Sequence, residues 1–212
     1  MFPSISERAM MKLAIVFALY ITSLVASNTL GLKVVPLFGT HFSVGVFMFP
    51  FVFITTDVIG EVYGRRMARF FVLAGFVSTL LFIFYSVLAM LPPWAEAGLW
   101  AKDAYNTIFS VSVRISIASV IAFIIGEYQD VISFFFFKDR LGSKNFWLRS
   151  NLSNLWSQLL DTTLFLTIAF YGIYPNDVLL SLMFSWWLFK VAMGVLYTPI
   201  SYLGIYLLRE NV

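Results

Sequence analysis

The chain of 212 residues contains no cysteine and a single histidine, His41. The absence of cysteine excludes disulfides, thiolate catalysis, iron–sulfur clusters and cysteine-ligated zinc. One histidine also excludes the usual metal sites that need two or three imidazoles. We therefore expect neither a metal nor a cofactor. Charge is scarce as well, because only 12% of the residues are charged, against about a quarter in soluble domains.

Apolar residues dominate the chain. Hydrophobic residues make up 60% and aromatic residues 19%, and the mean hydropathy is +0.88. These proportions are typical of a protein whose main solvent is the lipid bilayer. The net charge of +3 does not indicate nucleic-acid binding, because the basic residues fall in short clusters beside apolar segments. The composition predicts an integral membrane protein.

Six apolar segments are long enough to cross a hydrocarbon core of about 30 Å. They cover residues 13–32, 42–63, 69–91, 111–137, 151–173 and 178–208. Short breaks at Pro36, Gly39, Pro92 and Pro175 separate some of them. We predict an all-α integral membrane bundle of six transmembrane helices, forming a single transporter-sized domain over the whole chain.

Lysine and arginine are distributed unevenly between the two ends of these segments. Ten of the 14 fall at the termini and in the second and fourth connections, whereas only Lys33 and Lys102 lie in connections on the other side. By the positive-inside rule, both termini are predicted to be cytoplasmic. Trp94, Trp100 and Tyr105 fit an interfacial belt on the outer side, where anchoring at the lipid headgroups explains them.

A stripe of polar side chains in the fifth segment is the strongest functional signal. Asn151, Asn154, Gln158 and Asp161 are spaced three, four and three residues apart, which places them on one face of a helix. Such groups are costly in hydrocarbon unless they have partners. The stripe therefore indicates a polar interior that receives a substrate or an ion. Hydrogen bonding between helices is the alternative explanation.

The second segment carries an acidic pair one helical turn apart, Asp57 and Glu61. Gly60 and Gly64 form a small-residue pair beside it, which permits the close approach of another helix and a homodimer. A purely structural role for Glu61 is also open, because Arg65 follows four residues later and predicts a helical ion pair.

The fourth segment presents a second acidic pair, Glu127 and Asp130. These carboxylates suit ligand binding, but either one also suits the neutralisation of a basic residue, Arg114 or Lys190. Lys190 has a further alternative as the counter-ion of Asp161, with no ligand involved.

In the sixth segment, Trp186, Lys190, Met193 and Tyr197 recur at helical spacing. They form an aromatic face with one cation near its centre. Aromatic faces beside fixed charges suit a flat, polar, heteroaromatic ligand, because rings stack while ring edges form hydrogen bonds. The alternative is that this face is bundle core.

Three stretches resemble the queuosine precursor transporter family, also called vitamin-uptake-like transporters. The first runs from Phe49 to Arg66 and contains TDVIGEVYGRR, preceded by Asn28 and Lys33. The others are residues 122–130, with GEYQD, and residues 149–162, with RSNLSN and SQLLDT. The resemblance extends over nearly the whole chain and includes its size and number of spans.

The resemblance implies a multi-pass importer in the bacterial inner membrane. Its expected substrates are 7-deazaguanine bases such as preQ0, preQ1 or queuine, which are salvaged for the tRNA nucleoside queuosine. The fold is expected to be similar to the six-helix substrate-binding components of energy-coupling-factor vitamin importers, but to work without a dedicated ATPase.

For this substrate class, Asp161 with Gln158 or Asn154 is expected to bind the guanine-like ring edge. Glu127 or Asp57 would meet an aminomethyl cation. The remaining substrate-binding candidates are Lys190, Trp186 and Tyr197, with Phe53 as a further stacking ring. The candidates for coupling or gating are Glu61, Asp130, Arg114 and Asn151.

A substrate-binding component of an energy-coupling-factor vitamin importer is the alternative function. Ala14 and Ala18 in the first segment have the small-residue spacing with which such a component would contact its partner. We expect no enzyme activity, because the chain lacks H-E-x-x-H, G-x-S-x-G and a catalytic cysteine. The expected partners are therefore a small molecule and the lipid bilayer.

Overall fold

The structure is a computed structural model that describes the backbone of residues 7–141, 146–196 and 198–209. Within these ranges it describes the side chains except those of residues 65, 126–135, 137–139, 141, 146–154, 194–196, 198, 199 and 209.

Helices account for most of the described chain, as predicted. The elements are α1 (Glu7–Leu30), β1 (Val34–Leu37), β2 (Thr40–Ser43), a 3-10 helix (Val44–Met48), α2 (Phe49–Tyr63), α3 (Arg65–Met90), a second 3-10 helix (Glu96–Ala101), α4 (Lys102–Leu141), α5 (Phe146–Phe170), α6 (Asn176–Leu196) and α7 (Thr198–Arg209).

Within the described ranges, four segments are long and apolar enough to cross a membrane. They are Glu7–Leu30, Val44–Tyr63, Arg66–Met90 and Glu96–Ile125, and Leu155–Phe170 is a shorter apolar helix. Large apolar side chains such as Leu73, Phe84 and Leu88 are exposed on α3. Exposed apolar surface of this kind suits contact with lipid. The predicted total of six spans stays a prediction.

The predicted sixth segment, residues 178–208, is helical on both sides of residue 197, because α6 ends at Leu196 and α7 begins at Thr198. Residue 197 lies outside the described residues, so one continuous span stays a prediction. The second helix packs back on α2, where Leu208 is buried in a cluster with Val58.

A break separates α2 from α3 at Gly64, where φ is 85° and ψ is 166°. This conformation is accessible to glycine and strained for other residues. Arg65 therefore follows Glu61 across this break, and its side chain lies outside the described ones, so the predicted Glu61–Arg65 ion pair stays a prediction. Gly64 is also outside the helix that the predicted small-residue pair requires, and a methyl group on Gly60 would lie 3.6 Å from Ala68 Cβ of α3. The homodimer stays a prediction.

The first connection forms a β-hairpin that the sequence analysis did not predict. β1 and β2 are antiparallel, with Val34 opposite Ser43 and Leu37 opposite Thr40. Phe38 and Gly39 make the turn with φ values of 51° and 73°, and positive φ at both positions is what a type I′ hairpin turn requires.

Hydroxyl groups attach this hairpin to α6. Thr40 Oγ1 lies 2.7 Å from Ser181 Oγ and 2.5 Å from Ser185 Oγ. The hydroxyl of Tyr174, just before α6, donates to the carbonyl of Leu32, just before β1, at 2.5 Å, and burial raises the pKa of Tyr174. The hairpin therefore covers one end of the bundle, called the hairpin end below.

Two apolar clusters hold the helices together. The hairpin-end cluster contains Phe42, Val46, Ile115, Ala118, Ala122, Phe165, Leu166, Ala169, Phe170, Leu179, Leu182 and Trp186. The opposite-end cluster contains Tyr20, Val52, Val58, Ile59, Phe71 and Leu208. Within a bilayer, van der Waals packing of these side chains stabilises the contacts between the helices.

Candidate functional site

A cavity of about 360 Å³ lies among helices α1 to α6, between the two apolar clusters. Its volume is near the lower end of the range of small-molecule pockets, about 300–1,000 Å³. The lining residues are Tyr20, Leu24, Phe49, Val52, Phe53, Thr56, Val72, Gly75, Phe76, Thr79, Ser119, Val120, Ala122, Phe123, Ser157, Gln158, Asp161, Phe165, Trp186 and Lys190. The cavity is thus mostly apolar, with a few polar groups contributed mainly by α5 and α6.

An ion pair between α5 and α6 lies in the cavity wall. Lys190 Nζ donates to Asp161 Oδ2 at 2.6 Å. The Lys190 side chain is 6% exposed and the Asp161 side chain 28% exposed. The ammonium is therefore enclosed, whereas part of the carboxylate remains accessible. Because a carboxylate accepts several hydrogen bonds, Asp161 keeps acceptor capacity for a ligand while it is paired with Lys190.

Aromatic rings surround this ion pair. The rings of Trp186 and Phe165 are stacked, with centroids 5.4 Å apart and an interplanar angle of 28°. Phe49 meets Trp186 edge to face at 5.7 Å, and Lys190 Nζ lies 5.6 Å from the centroid of Phe49. Stacked on Phe49 at 6.0 Å, Phe53 continues this surface along α2. The rings provide flat apolar surfaces and a cation–π contact beside the polar groups.

Two buried polar atoms of cavity-lining residues have no hydrogen-bond partner within the described part of the chain. They are Gln158 Oε1, an acceptor, and Trp186 Nε1, a donor. The neighbouring Trp187 differs, because its Nε1 donates to the Leu155 carbonyl at 3.2 Å. A buried polar group without a partner costs about 1–3 kcal/mol. A ligand that offered complementary groups would remove that cost.

The structure brings four of the predicted substrate-binding residues together. Gln158, Asp161, Trp186 and Lys190 all line the cavity, and Phe53 lines it with them. The other predicted side chains on α4, α5 and after α6 lie outside the described side chains: Glu127, Asp130, Asn151, Asn154 and Tyr197. The proposed counter-ion relation between Asp161 and Lys190, left open from the sequence, is present.

The acidic pair of α2 lies elsewhere. Asp57 and Glu61 are exposed, and neither is among the described residues that line the cavity. Thr56 lines it instead, with its hydroxyl donating to the Phe53 carbonyl at 2.9 Å. Ligand binding by Asp57 and coupling through Glu61 therefore stay predictions without a contact to this cavity.

Arg114 joins α4 to the end of α5. Its Nε donates to the Ile168 carbonyl at 2.7 Å, and its Nη2 donates to the Tyr171 carbonyl at 2.6 Å. Carbonyls at the end of a helix lack partners within the helix, and a cation there also interacts favourably with the helix dipole. These contacts give Arg114 a structural role, and its predicted gating role stays a prediction.

Sequence reasoning missed Phe49 and Phe165 as parts of the site. Phe165 lies on the face of α5 that carries Gln158 and Asp161, seven and four residues before it, so helical spacing was a usable signal. Phe49 lies four residues before Phe53, but its contact with Trp186 depends on how α2 and α6 pack.

Comparison with known proteins places this chain in a family. The family model described as "Putative vitamin uptake transporter" matches residues 43–204, well over half of the chain. The chain belongs to the queuosine precursor transporter family, as the sequence resemblance indicated. The matched range, residues 43–204, includes every described cavity-lining residue except Tyr20 and Leu24.

Named members of the queuosine precursor transporter family are similar over most of their length. A protein of Bacillus subtilis named "Probable queuosine precursor transporter" is 36% identical over 185 residues, which cover 84% of this chain and 78% of that protein. The "Queuosine precursor transporter" of Escherichia coli is 32% identical over 165 residues, covering 77% of this chain and 70% of that protein. A Haemophilus influenzae protein named "Probable queuosine precursor transporter" is 28% identical over 163 residues, covering 75% and 66%.

A search of solved structures gave no significant match. Family membership and the apolar helices together make this chain a multi-pass membrane transporter rather than an enzyme.

Proposed function

We propose that this chain imports queuosine precursors, that is, 7-deazaguanine bases, across the bacterial inner membrane. The observation that carries the proposal is the cavity, in which a partly accessible carboxylate, Asp161, lies beside stacked aromatic rings within a membrane helix bundle. The names of the relatives supply the substrate class.

The polar groups of the cavity suit one edge of a guanine-like ring. That edge offers a ring N–H and an exocyclic amine, and Asp161 accepts hydrogen bonds from such donors. Gln158 Oε1 is a second acceptor on the same helix, one turn away, and has no partner among the described residues. Together they form a surface of acceptors that matches adjacent donors on the ligand.

The aromatic rings suit the faces of the same ring system. Stacking of a nucleobase on an aromatic side chain contributes about 1–3 kcal/mol. Phe49, Phe53, Phe165 and Trp186 all line the cavity, so a planar base is able to stack while its edge reaches Asp161.

Transport requires that the cavity opens alternately to the two sides of the membrane. The hairpin-end cluster and the opposite-end cluster lie on either side of the cavity along the bundle, and we assign them the two gates. Ten lysines and arginines on one side favour cytoplasmic termini, which places the hairpin end outside.

The test is the queuosine content of tRNA in bacteria that neither synthesise nor import the precursors. These cells are supplied with a low concentration of a 7-deazaguanine base and express the parent chain, Asp161→Asn or Asp177→Asn. Asp177 is exposed in the first turn of α6 and does not line the cavity, so it is the matched control.

We expect the parent and Asp177→Asn to restore queuosine and Asp161→Asn to fail. Restoration by Asp161→Asn would leave import standing but remove Asp161 from base recognition. Failure of a well-expressed parent chain would contradict the substrate assignment.

A substrate-binding component of an energy-coupling-factor vitamin importer is the second candidate. It is favoured by one observation, that Ala14 and Ala18 are both exposed on α1, where a partner helix could approach closely. Uptake by this chain in a host that lacks energy-coupling ATPase subunits would contradict this candidate, whereas strict dependence on such subunits would replace the first.

A further inference from the structure

The described wall of the cavity carries charges that cancel. Among its described residues, only Asp161 and Lys190 are charged, and they form the 2.6 Å ion pair. Of the two carboxylates that the sequence offered to a cationic ligand, Asp57 is not among the described lining residues, and Glu127 lies outside the described side chains. The described part of the wall therefore offers a ligand hydrogen-bonding groups but no net charge.

Lys190 is held in place from two sides. Asp161 Oδ2 accepts a hydrogen bond from its ammonium, and the ring of Phe49 lies 5.6 Å from its Nζ. The side chain is 6% exposed, so the ammonium is not presented to the cavity in the way that the carboxylate is. Lys190 therefore affects a ligand indirectly, because it neutralises the negative charge of Asp161.

We propose that Lys190 is the specificity-determining residue of the cavity and makes it select an uncharged 7-deazaguanine over a cationic one. This inference rests on the proposed function and defines its substrate class more closely. A base with a nitrile at C7 is neutral, whereas a base with an aminomethyl group at C7 carries a positive charge. In a cavity enclosed by a membrane bundle, a cation without a counter-charge loses solvation that the wall does not replace.

The charge of residue 190 should therefore decide which base the cavity prefers. Lys190→Met removes the positive charge and leaves the Asp161 carboxylate uncompensated, so the cavity wall becomes negative. A unit charge a few ångströms away in a low-dielectric site alters binding strongly. The preference should then reverse towards the aminomethyl base.

The experiment measures uptake of 7-cyano-7-deazaguanine and 7-aminomethyl-7-deazaguanine in competition, with the ratio of the two initial rates as the readout. The ratio does not depend on how much protein is present. We expect the parent to favour the nitrile base and Lys190→Met to shift the ratio by at least about tenfold towards the aminomethyl base.

Two control variants separate charge from other effects. Lys190→Arg retains the charge and should retain the parent ratio. Lys33→Met removes the same charge from an exposed position outside the cavity and should also leave the ratio unchanged. Lys190→Gln should reproduce the shift of Lys190→Met. The ratio can therefore still be measured if one of the two variants is degraded.

A parent chain that favours the aminomethyl base would overturn the proposal, as would a ratio that Lys190→Met and Lys190→Gln leave unchanged. Loss of uptake of both bases in the two neutral variants, with the protein present in the membrane, would also overturn it, because Lys190 would then be required for transport of either base. If the parent takes up neither base, the proposed function fails instead.

Discussion

Gln158 and Thr162 occupy successive turns of α5, and each has a buried oxygen without a partner among the described residues. Only Gln158 also lines the cavity. Both residues therefore have a buried oxygen that is unpartnered within the described part of the chain, but only Gln158 is in a position that a ligand can reach. Variants at these two positions can therefore distinguish a loss of ligand binding from a change in protein stability.

Replacing Gln158 by methionine is expected to reduce uptake of a 7-deazaguanine base by about 10- to 100-fold, equivalent to losing one hydrogen bond of about 1–3 kcal/mol. The stability of the empty protein should stay the same or rise, because a buried acceptor without a partner is removed. Initial uptake rates and the melting temperature of the purified protein check the two parts.

Thr162→Val is the matched control: it should leave uptake unchanged, and the melting temperature should stay the same or rise for the same reason. Equal loss of uptake in both variants would show that the face of α5, rather than a contact of Gln158, is what transport needs.

Sequence spacing predicted the residues of the site well where they share one helix. Gln158 and Asp161 were found because three-residue spacing places them on one face. The pairing of Asp161 with Lys190 was only an alternative at that stage, since the two residues are 29 positions apart. Spacing along one helix carries no information about the rotation of another helix around its axis.

At the scale of the elements, close contact between α1 and α3 depends on Gly75. A methyl group built on Gly75 would lie 2.5 Å from the hydroxyl oxygen of Tyr20, and Tyr20 is buried in the opposite-end cluster. Gly60 of α2 is also helical but has space, since a methyl group there would lie 3.6 Å from Ala68 Cβ. These two glycines form a natural pair for testing helix packing.

We expect Gly75→Ala to destabilise the protein by about 1–3 kcal/mol, because the Tyr20 ring must move within a packed core. Gly60→Ala should be neutral or slightly stabilising, because alanine favours helix over glycine by about 0.5–1 kcal/mol. Thermal unfolding of both variants in the same detergent measures the difference. A Gly75→Ala variant as stable as Gly60→Ala would contradict the close approach of α1 and α3.

Helix boundaries were predictable only where the chain itself breaks the helix. Gly64 ends α2, and the sequence predicted a boundary there because the apolar segments 42–63 and 69–91 stop on either side of it. The hairpin at residues 34–43 was missed, because β pairing joins two short stretches that have no helical or apolar period of their own.

At the scale of the whole molecule, the hairpin end and the α2–α3 turn lie at opposite ends of the bundle. Phe38 at the hairpin tip is 90% exposed, and Arg69 near the start of α3 is exposed as well. Because the chain has no cysteine, a single cysteine at either position is the sole thiol and reports on its side of the membrane without background.

In membrane vesicles with the outer surface exposed, a membrane-impermeant maleimide is expected to label Phe38→Cys and not Arg69→Cys. Inverted vesicles should give the reverse result. The parent chain, which has no thiol, provides the blank. Labelling of Arg69→Cys from the outer side would reverse the proposed orientation, and labelling of each position from both sides would indicate two orientations in the membrane.

Sequence by itself determined that the chain belongs in the bilayer, that its elements are helical and that a polar face on α5 faces inward. These properties follow from composition and from short-range periodicity, which each helix carries alone. Tertiary structure decided that Asp161 pairs with Lys190, that Phe49 and Phe165 complete the aromatic wall with Trp186, and that Asp57 lies outside the described cavity wall. Such contacts depend on how each helix is rotated about its axis and shifted along it. Side-chain ridges and small residues such as glycine determine both when the helices pack.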